Sequence, residues 1–294
     1  YTLQANKQSG KFFKIKTMPH ELPEKVLKNK KLKIGFDPKL FTTKTLNIFF
    51  GKTNCRYLPL NKNLIDEIWR RRKVKGKNKF FKLPNSSVGE SYKSKINKIF
   101  LKLRKSGADY QFITASENNA WLLNIRGNDS KYTPIPSSYI LFDKKKNIKF
   151  FCDLEKISSS FKKKFNKVKF INIKDTSLIL SQIYKKKIMI DRNTCSIYYE
   201  NIILKNNKIL SQQDPVYALK AIKTKKEIEN IKKAHIYDGA ALTKYLFWLK
   251  NNFIKKKITE ISAEKKLFNI IKKNKNFNFL NFPFLLNTSD APDK

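Results

Sequence analysis

Histidine, cysteine, arginine and glycine are all scarce in this 294-residue sequence, and each shortage argues against a class of protein. Only His20 and His235 are present, no acidic residue pairs with either at a metal-ligating spacing, and there is no HExxH helix. The three cysteines, Cys55, Cys152 and Cys195, stand far apart without CxxC spacing. That argues against a zinc knuckle or a disulfide framework and fits a reducing, cytoplasmic setting. With eight glycines the chain offers no Gly-rich phosphate loop and no GxSxG nucleophile elbow. No uncharged apolar run is long enough to span a membrane, and the opening YTLQANKQSG has neither signal-peptide nor transit-peptide grammar. It also lacks an initiating Met, which leads to the expectation of a fragment.

Acidic residues are few as well: 23 against 64 basic ones, a net charge of +41 and a pI near 10.1. Such a charge is the first footprint of a nucleic-acid binder. Yet Arg, whose planar fork reads phosphate and guanine, occurs only at positions 56, 70, 71, 72, 104, 126 and 192, and lysine is spread over the whole length. Enrichment of Lys, Asn, Ile and Phe together is the mark of a coding sequence biased toward A and T, so nucleic acid is not the expected partner. A basic nucleic-acid-binding α/β protein stays open as the alternative. What the chain has in quantity is core-forming material, 40% hydrophobic with 23 Phe and 12 Tyr, so the charge does not mean disorder.

The patterning predicts α/β layering, in two domains or two plus a piece. Up to about Leu60, the strand-like runs KLKIGFD and CRYLPL alternate with the helical HELPEKVLKN and PKLFTTKTLNIFF. NLIDEIWRRR reads as a short helix with Arg70, Arg71 and Arg72 at its solvated end. KVKGKNKFFKLPNSSVGES then loses periodicity and reads as a linker. From Tyr92, Ile96, Ile99, Phe100 and Leu103 share a helical face closed by Gly107. YQFITA, SSYILFD, IKFFCDL and KKIMIDR follow as strands, and SENNAWLLNI as a turn or short helix. Beyond Asp214, Thr224 and Glu227 form a TxxE capping box. Ile228, Ile231, His235, Leu242, Tyr245 and Leu249 then mark the inward face of a long helix, and a second helix follows with Ile261, Leu267, Ile270 and Ile271 inward. The expected parts are 1–84, 92–214 and 215–294.

His235, sharing a face with apolar positions, reads as a core or interface residue rather than a ligand. Trp69, Trp121 and Trp248, each inside an apolar pattern, read as core. Asp290 and Asp293 of SDAPD read as exposed acids. The residues alone therefore assemble no active site. The one anomaly is AWLLNIRGND, where an apolar run in a lysine-rich chain ends on Arg126 followed at once by Gly127.

TASENNAWLLNIRGND followed by TPIPSSYILF resembles the second-domain signature of the three-domain, cytosolic Xaa-Pro aminopeptidases, the aminopeptidases P of the creatinase and pita-bread metallopeptidase group. YTLQANKQ, IGFDP, NLIDEIW, DPVYALKAIKTKKEIENIKKAHIYDGAALTKYLFWL and TEISAEKKL resemble further family segments in family order, and the likeness runs from Tyr1 to about Pro283. It implies two creatinase N-terminal-like α/β domains, mixed sheets flanked by helices, followed by the first helices of an incomplete pita-bread domain. It also implies two divalent metal ions, manganese or zinc, a peptide substrate with Pro in second position, and a homodimer without membrane attachment. The family's metal ligands lie C-terminal to the residues present, so no catalytic or metal-binding residue is assigned and the chain alone is expected to be inactive. After NFP the sequence departs from the family pattern. A non-catalytic relative is a further alternative.

Within that resemblance Arg126 and Tyr132 are the candidate substrate-binding residues, on a loop from Gly127 to Tyr132 facing the cleft. The competing reading is structural: a guanidinium flanked by Asn124 and Asp129 holds the loop through a fork of hydrogen bonds that lysine does not reproduce, typically against a carboxylate.

Overall fold

A computed structural model describes residues 2–69, 78–129, 132–254, 258–275 and 277–278. Arg70, Arg71, Arg72, Asp290 and Asp293 lie outside these. The first part of the chain alternates α1 (Thr2–Ser9), α2 (Pro23–Leu27), β1 (Lys33–Phe36), α3 (Thr43–Phe50), β2 (Arg56–Pro59) and α4 (Leu64–Ile68). β1 and β2 pair in parallel, as a strand–helix–strand crossover requires. Helix α3 starts where Thr42 and Thr45 exchange capping hydrogen bonds. The side chain of Asn63 starts α4 by accepting from the amides of Ile65 and Asp66.

Next come β3 (Phe81–Lys82), α5 (Asn85–Val88), α6 (Tyr92–Ser106), β4 (Tyr110–Ile113), α7 (Ser116–Leu123), β5 (Ile125–Arg126), β6 (Tyr139–Asp143), β7 (Ile148–Cys152), α8 (Ser159–Lys162), β8 (Val168–Asn172), α9 (Thr176–Ser181), β9 (Lys187–Ile190), α10 (Ile197–Leu204) and β10 (Lys208–Ser211). Six of these strands form one mixed sheet in the order β10-β9-β4-β6-β7-β8. β4, β9 and β10 run parallel, β4–β6–β7 is antiparallel, and β7 and β8 are parallel. Neighbouring residues in each strand face opposite ways. Ile113, Ile140, Phe142 and Phe150 pack against Ile99 and Leu103 of α6 and Leu122 and Leu123 of α7. Phe112, Leu141 and Phe151 turn to the other face, against Leu180 of α9 and Ile203 of α10. Each buried side chain of this size stabilises by about 1.5–3 kcal/mol, so the two-sided core makes this sheet the anchor of the molecule. Helix α6 is capped by Ser91 and stops at Gly107, which takes φ 70°.

The first part is fixed to this sheet through α10. The amides of Ile197 and Tyr198 donate to the carbonyls of Phe41 (2.9 Å) and Pro38 (3.0 Å). Buried Glu200 accepts from Thr43 Oγ1 (2.7 Å) and Arg192 Nε (2.8 Å).

The chain closes with α11 (Val216–Ala221), α12 (Lys225–Asn252) and α13 (Glu260–Ile271). The capping box of Thr224 and Glu227 opens α12 as expected. Three expectations fail. The stretch read as a linker is built into the fold where it is described: Phe80 is 4% exposed and Phe81 pairs with Arg126, because β3 finds its partner far along the chain rather than by local periodicity. Ile228, Ile231 and Leu242 are exposed on α12, Ile261 is exposed on α13, and His235 is exposed rather than in a core. Among the described residues α12 packs mainly on α5 and α13, which cover Tyr245 but leave the rest of its stripe open. Trp69 is exposed at the end of α4, a helix too short to turn a full apolar face inward, whereas Trp121 and Trp248 pack against buried clusters.

Candidate functional site around Arg126

Arg126 sits on β5, at the point where α7 stops in a left-handed turn at Asn124 (φ 55°). Its Nη1 donates to the carbonyl oxygens of Ala120 (3.1 Å) and Ile125 (2.9 Å), and no carboxylate is among its printed partners. Two of the carbonyls left over by the end of α7 and the start of β5 are thereby satisfied. Burial lowers the guanidinium's pKa, and the carboxylate of Glu227 in the cap of α12 opposes that shift.

Asp129 is taken elsewhere. Its carboxylate makes an ion pair with Lys156, and both side chains are nearly inaccessible, 3% and 4% exposed. Its second oxygen accepts from the amide of Ser137 (2.7 Å). The amide of Gly127 donates to the Pro134 carbonyl (3.2 Å), so the two ends of the loop are cross-linked. Gly127 is needed for lack of space: a Cβ there would lie 2.8 Å from Cδ1 of Phe80 and 3.2 Å from Cα of Pro136. Tyr132 lies on this loop, half-buried, with φ 64°.

Behind Arg126 lies a residue that the sequence reading missed. Lys95 of α6 is fully buried, donates to the Trp121 carbonyl (3.0 Å) and Asn124 Oδ1 (2.7 Å), and sits 4.0 Å from the centre of the Trp121 ring. Burial pulls its pKa down to about 8, partly offset by Glu227 and Glu90. Asn124 Nδ2 in turn donates to the Glu90 carbonyl (2.9 Å). The signal was available: Tyr92, Lys95, Ile96, Ile99 and Leu103 follow helical spacing, so Lys95 occupies a place in the apolar stripe. Lys156 and Phe80 carried no comparable signal.

The start of α12 docks beside this site. Thr224 Oγ1 donates to the Val88 carbonyl (3.0 Å) and Asn230 Nδ2 to that of Ser87 (3.0 Å). Gly89, at φ 68°, leaves room for Thr224, whose Oγ1 would lie 2.7 Å from any Cβ. The Arg126 loop, α6 and the first turn of α12 are thus held together by directional bonds, an arrangement that positions elements and contains no nucleophile–base pair. Among the described residues no group of three or more His, Cys, Asp or Glu side chains is placed to hold a metal ion.

A family model described as the Creatinase/Prolidase N-terminal domain matches residues 71–227, the segment that carries the six-stranded sheet and this site. The chain belongs to that family. Relatives of this creatinase/prolidase N-terminal chain include the probable Xaa-Pro aminopeptidase P of Paracoccidioides brasiliensis (strain Pb03), 30% identical over 85% of this chain and 44% of the relative. Xaa-Pro aminopeptidase 1 of Dictyostelium discoideum is 28% identical over 78% of this chain and 38% of its own length. The chain therefore spans less than half the length of these relatives. Its fold matches that of the X-prolyl aminopeptidase of Caenorhabditis elegans, described as a cytosolic enzyme with a di-nuclear active site. The TM-score is 0.85 at 24% identity, covering 96% of this chain and 49% of that one. No helix among the described residues is long and apolar enough to cross a membrane.

Proposed function

We propose that this chain is the amino-terminal scaffold of an Xaa-Pro aminopeptidase, acting on peptides with proline in second position. The reading is carried by one observation: likeness to such enzymes continues through nearly the whole chain, in sequence to the Paracoccidioides relative and in fold to the Caenorhabditis enzyme. In the proposed organisation 1–84 and 92–214 form two creatinase-like domains, and 215–294 begins the metallopeptidase domain. The intact enzyme works in the cytoplasm as a homodimer with two divalent metal ions, manganese or zinc, which supply activation of water for peptide-bond cleavage. The described residues do not fit such ions, so no ligand and no step of hydrolysis is assigned to them.

Their part is architectural. A peptide bond before proline has no N–H and a fixed φ, so it needs a pocket of set shape, and walls of set shape need supports that do not move. The Arg126 loop is such a support, cross-linked at both ends and seated on a buried ion pair. In this reading Arg126 itself is committed to the carbonyls of α7 and β5, and Tyr132 is the residue of the loop assigned to the peptide.

A chimera tests the proposal, with this chain replacing the corresponding half of the Caenorhabditis elegans enzyme. Release of the N-terminal residue from an Xaa-Pro peptide, but not from its Xaa-Ala counterpart, is expected with manganese or zinc present. The 294-residue chain alone is expected to release none. A folded chimera that cleaves neither peptide, or metal-dependent cleavage by the chain alone, overturns it.

A further inference from the structure

The carboxyl ends of β1 and β2 open into a crevice of about 860 Å3 whose opposite side is α10. Ligands of parallel α/β units gather at this end of the strands, and the volume is in the range that takes a small molecule or short peptide. The walls are cross-linked. Asn63 Nδ2 donates to Asp37 Oδ2 (2.9 Å), tying the exit of β2 to that of β1. The amide of Tyr198 donates to the Pro38 carbonyl (3.0 Å), tying α10 to both. Tyr198, Ile202 and Lys205 line the crevice at helical spacing, one stripe of α10, while α4 contributes Glu67 from the other side.

Charges of both signs face this space without neutralising one another. Glu67 lies on α4, Lys62 just before it, and Lys205 at the C-terminal end of α10, yet none of the three makes an ion pair among the described residues. Between them Leu60, Ile202 and the Tyr198 ring supply apolar surface. A carboxylate on one wall, ammonium groups on the other and apolar surface between is the complement of a molecule with an amine at one end, a carboxylate at the other and side chains in the middle.

We infer that this crevice binds a short peptide with free termini, its ammonium directed to Glu67 and its terminal carboxylate to Lys205 and Lys62. The site is separate from the Arg126 loop, and its occupancy is read as binding, without turnover. Its fate is therefore independent of whether the hydrolytic reading holds.

Titration calorimetry of the 294-residue chain at low salt with the dipeptide Ala-Pro, its N-acetyl form and its C-terminal amide decides the matter. Saturable one-to-one binding of free Ala-Pro is expected, weakened at least tenfold by either block. Glu67→Gln should weaken Ala-Pro at least tenfold and leave the N-acetyl form unchanged. Lys205→Met should do the same for Ala-Pro and leave the amide unchanged. Both positions are exposed, and circular dichroism confirms that each variant folds. Three outcomes overturn the inference. One is no saturable binding of Ala-Pro. Another is affinity indifferent to both substitutions. The third is tightest binding of the N-acetyl form, which would be general attraction of anions to a chain of net charge +41.

Discussion

Asp129 and Lys156 meet in a buried ion pair beneath the loop that begins at Gly127, so the acid nearest Arg126 in sequence is bound to a lysine from the far side of the β6–β7 hairpin. Arg126 answers to carbonyl groups instead. This division of partners sets what each substitution in the loop should do.

Asp129→Asn leaves the Lys156 ammonium buried without its counter-charge. Breaking a buried pair from one side costs about 3–5 kcal/mol, whereas replacing both partners by apolar groups costs far less. Urea denaturation should therefore show a large loss for Asp129→Asn and a smaller one for the double variant Asp129→Leu/Lys156→Met. Equal losses would mean that the pair contributes only its hydrogen bond to Ser137.

Gly127→Ala drives a methyl group into the Phe80 ring and the Pro136 backbone. Overpacking of this kind costs about 1–3 kcal/mol. Because the ring is the nearest obstacle, adding Phe80→Leu should recover part of the loss, as judged by thermal unfolding. No recovery would place the strain in the backbone at Pro136.

Arg126→Lys keeps the charge but loses the fork that reaches two carbonyls. Hydrogen bonds from charged donors are worth about 1.5–3 kcal/mol, and lysine is expected to keep one of the two, so a loss near the lower figure is expected. Hydrogen exchange at the C-terminal turn of α7 should rise with it. Unchanged stability and unchanged exchange would remove the case for geometry over charge at this position.

Lys95 gives the molecule a pH dependence of known sign. Its pKa in the folded chain, about 8, lies below the ordinary value of about 10.4 for a lysine in an unfolded chain. Below pH 8 the full cost of burying the charge is present. Between about 8 and 10.4 the unfolded state holds more protons, so stability from this group rises with pH. Lys95→Met lacks that rise, and the difference in unfolding midpoint between wild type and variant should change in favour of the wild type from pH 7.5 to pH 9.5. Parallel curves across that range would show that the amine titrates normally.

Features formed by neighbours in the chain were legible in the sequence. The capping box at Thr224, the stop at Gly107, the β6–β7 hairpin and the buried stripe of α6 each depend on residues a few positions apart. Lys95 was legible too, as a charged residue out of place in that stripe. The α12 face misled because helical spacing reports which residues share a side, not whether anything covers it. β3 was taken for linker because a two-residue strand has no period of its own to detect.

The sequence by itself determined the layering of helices and strands, the places where helices begin and end, and a family likeness carried by ordered runs of residues. Only the tertiary structure decided that Lys156 rather than Arg126 holds Asp129, that Phe80 is the reason for Gly127, and that Glu67 and Lys205 face one crevice from different elements. Such pairings arise where distant segments are brought together by a shared core. Sequence spacing records the local backbone preferences that shape each segment, but the choice of partner is made by the burial that packs one segment against another.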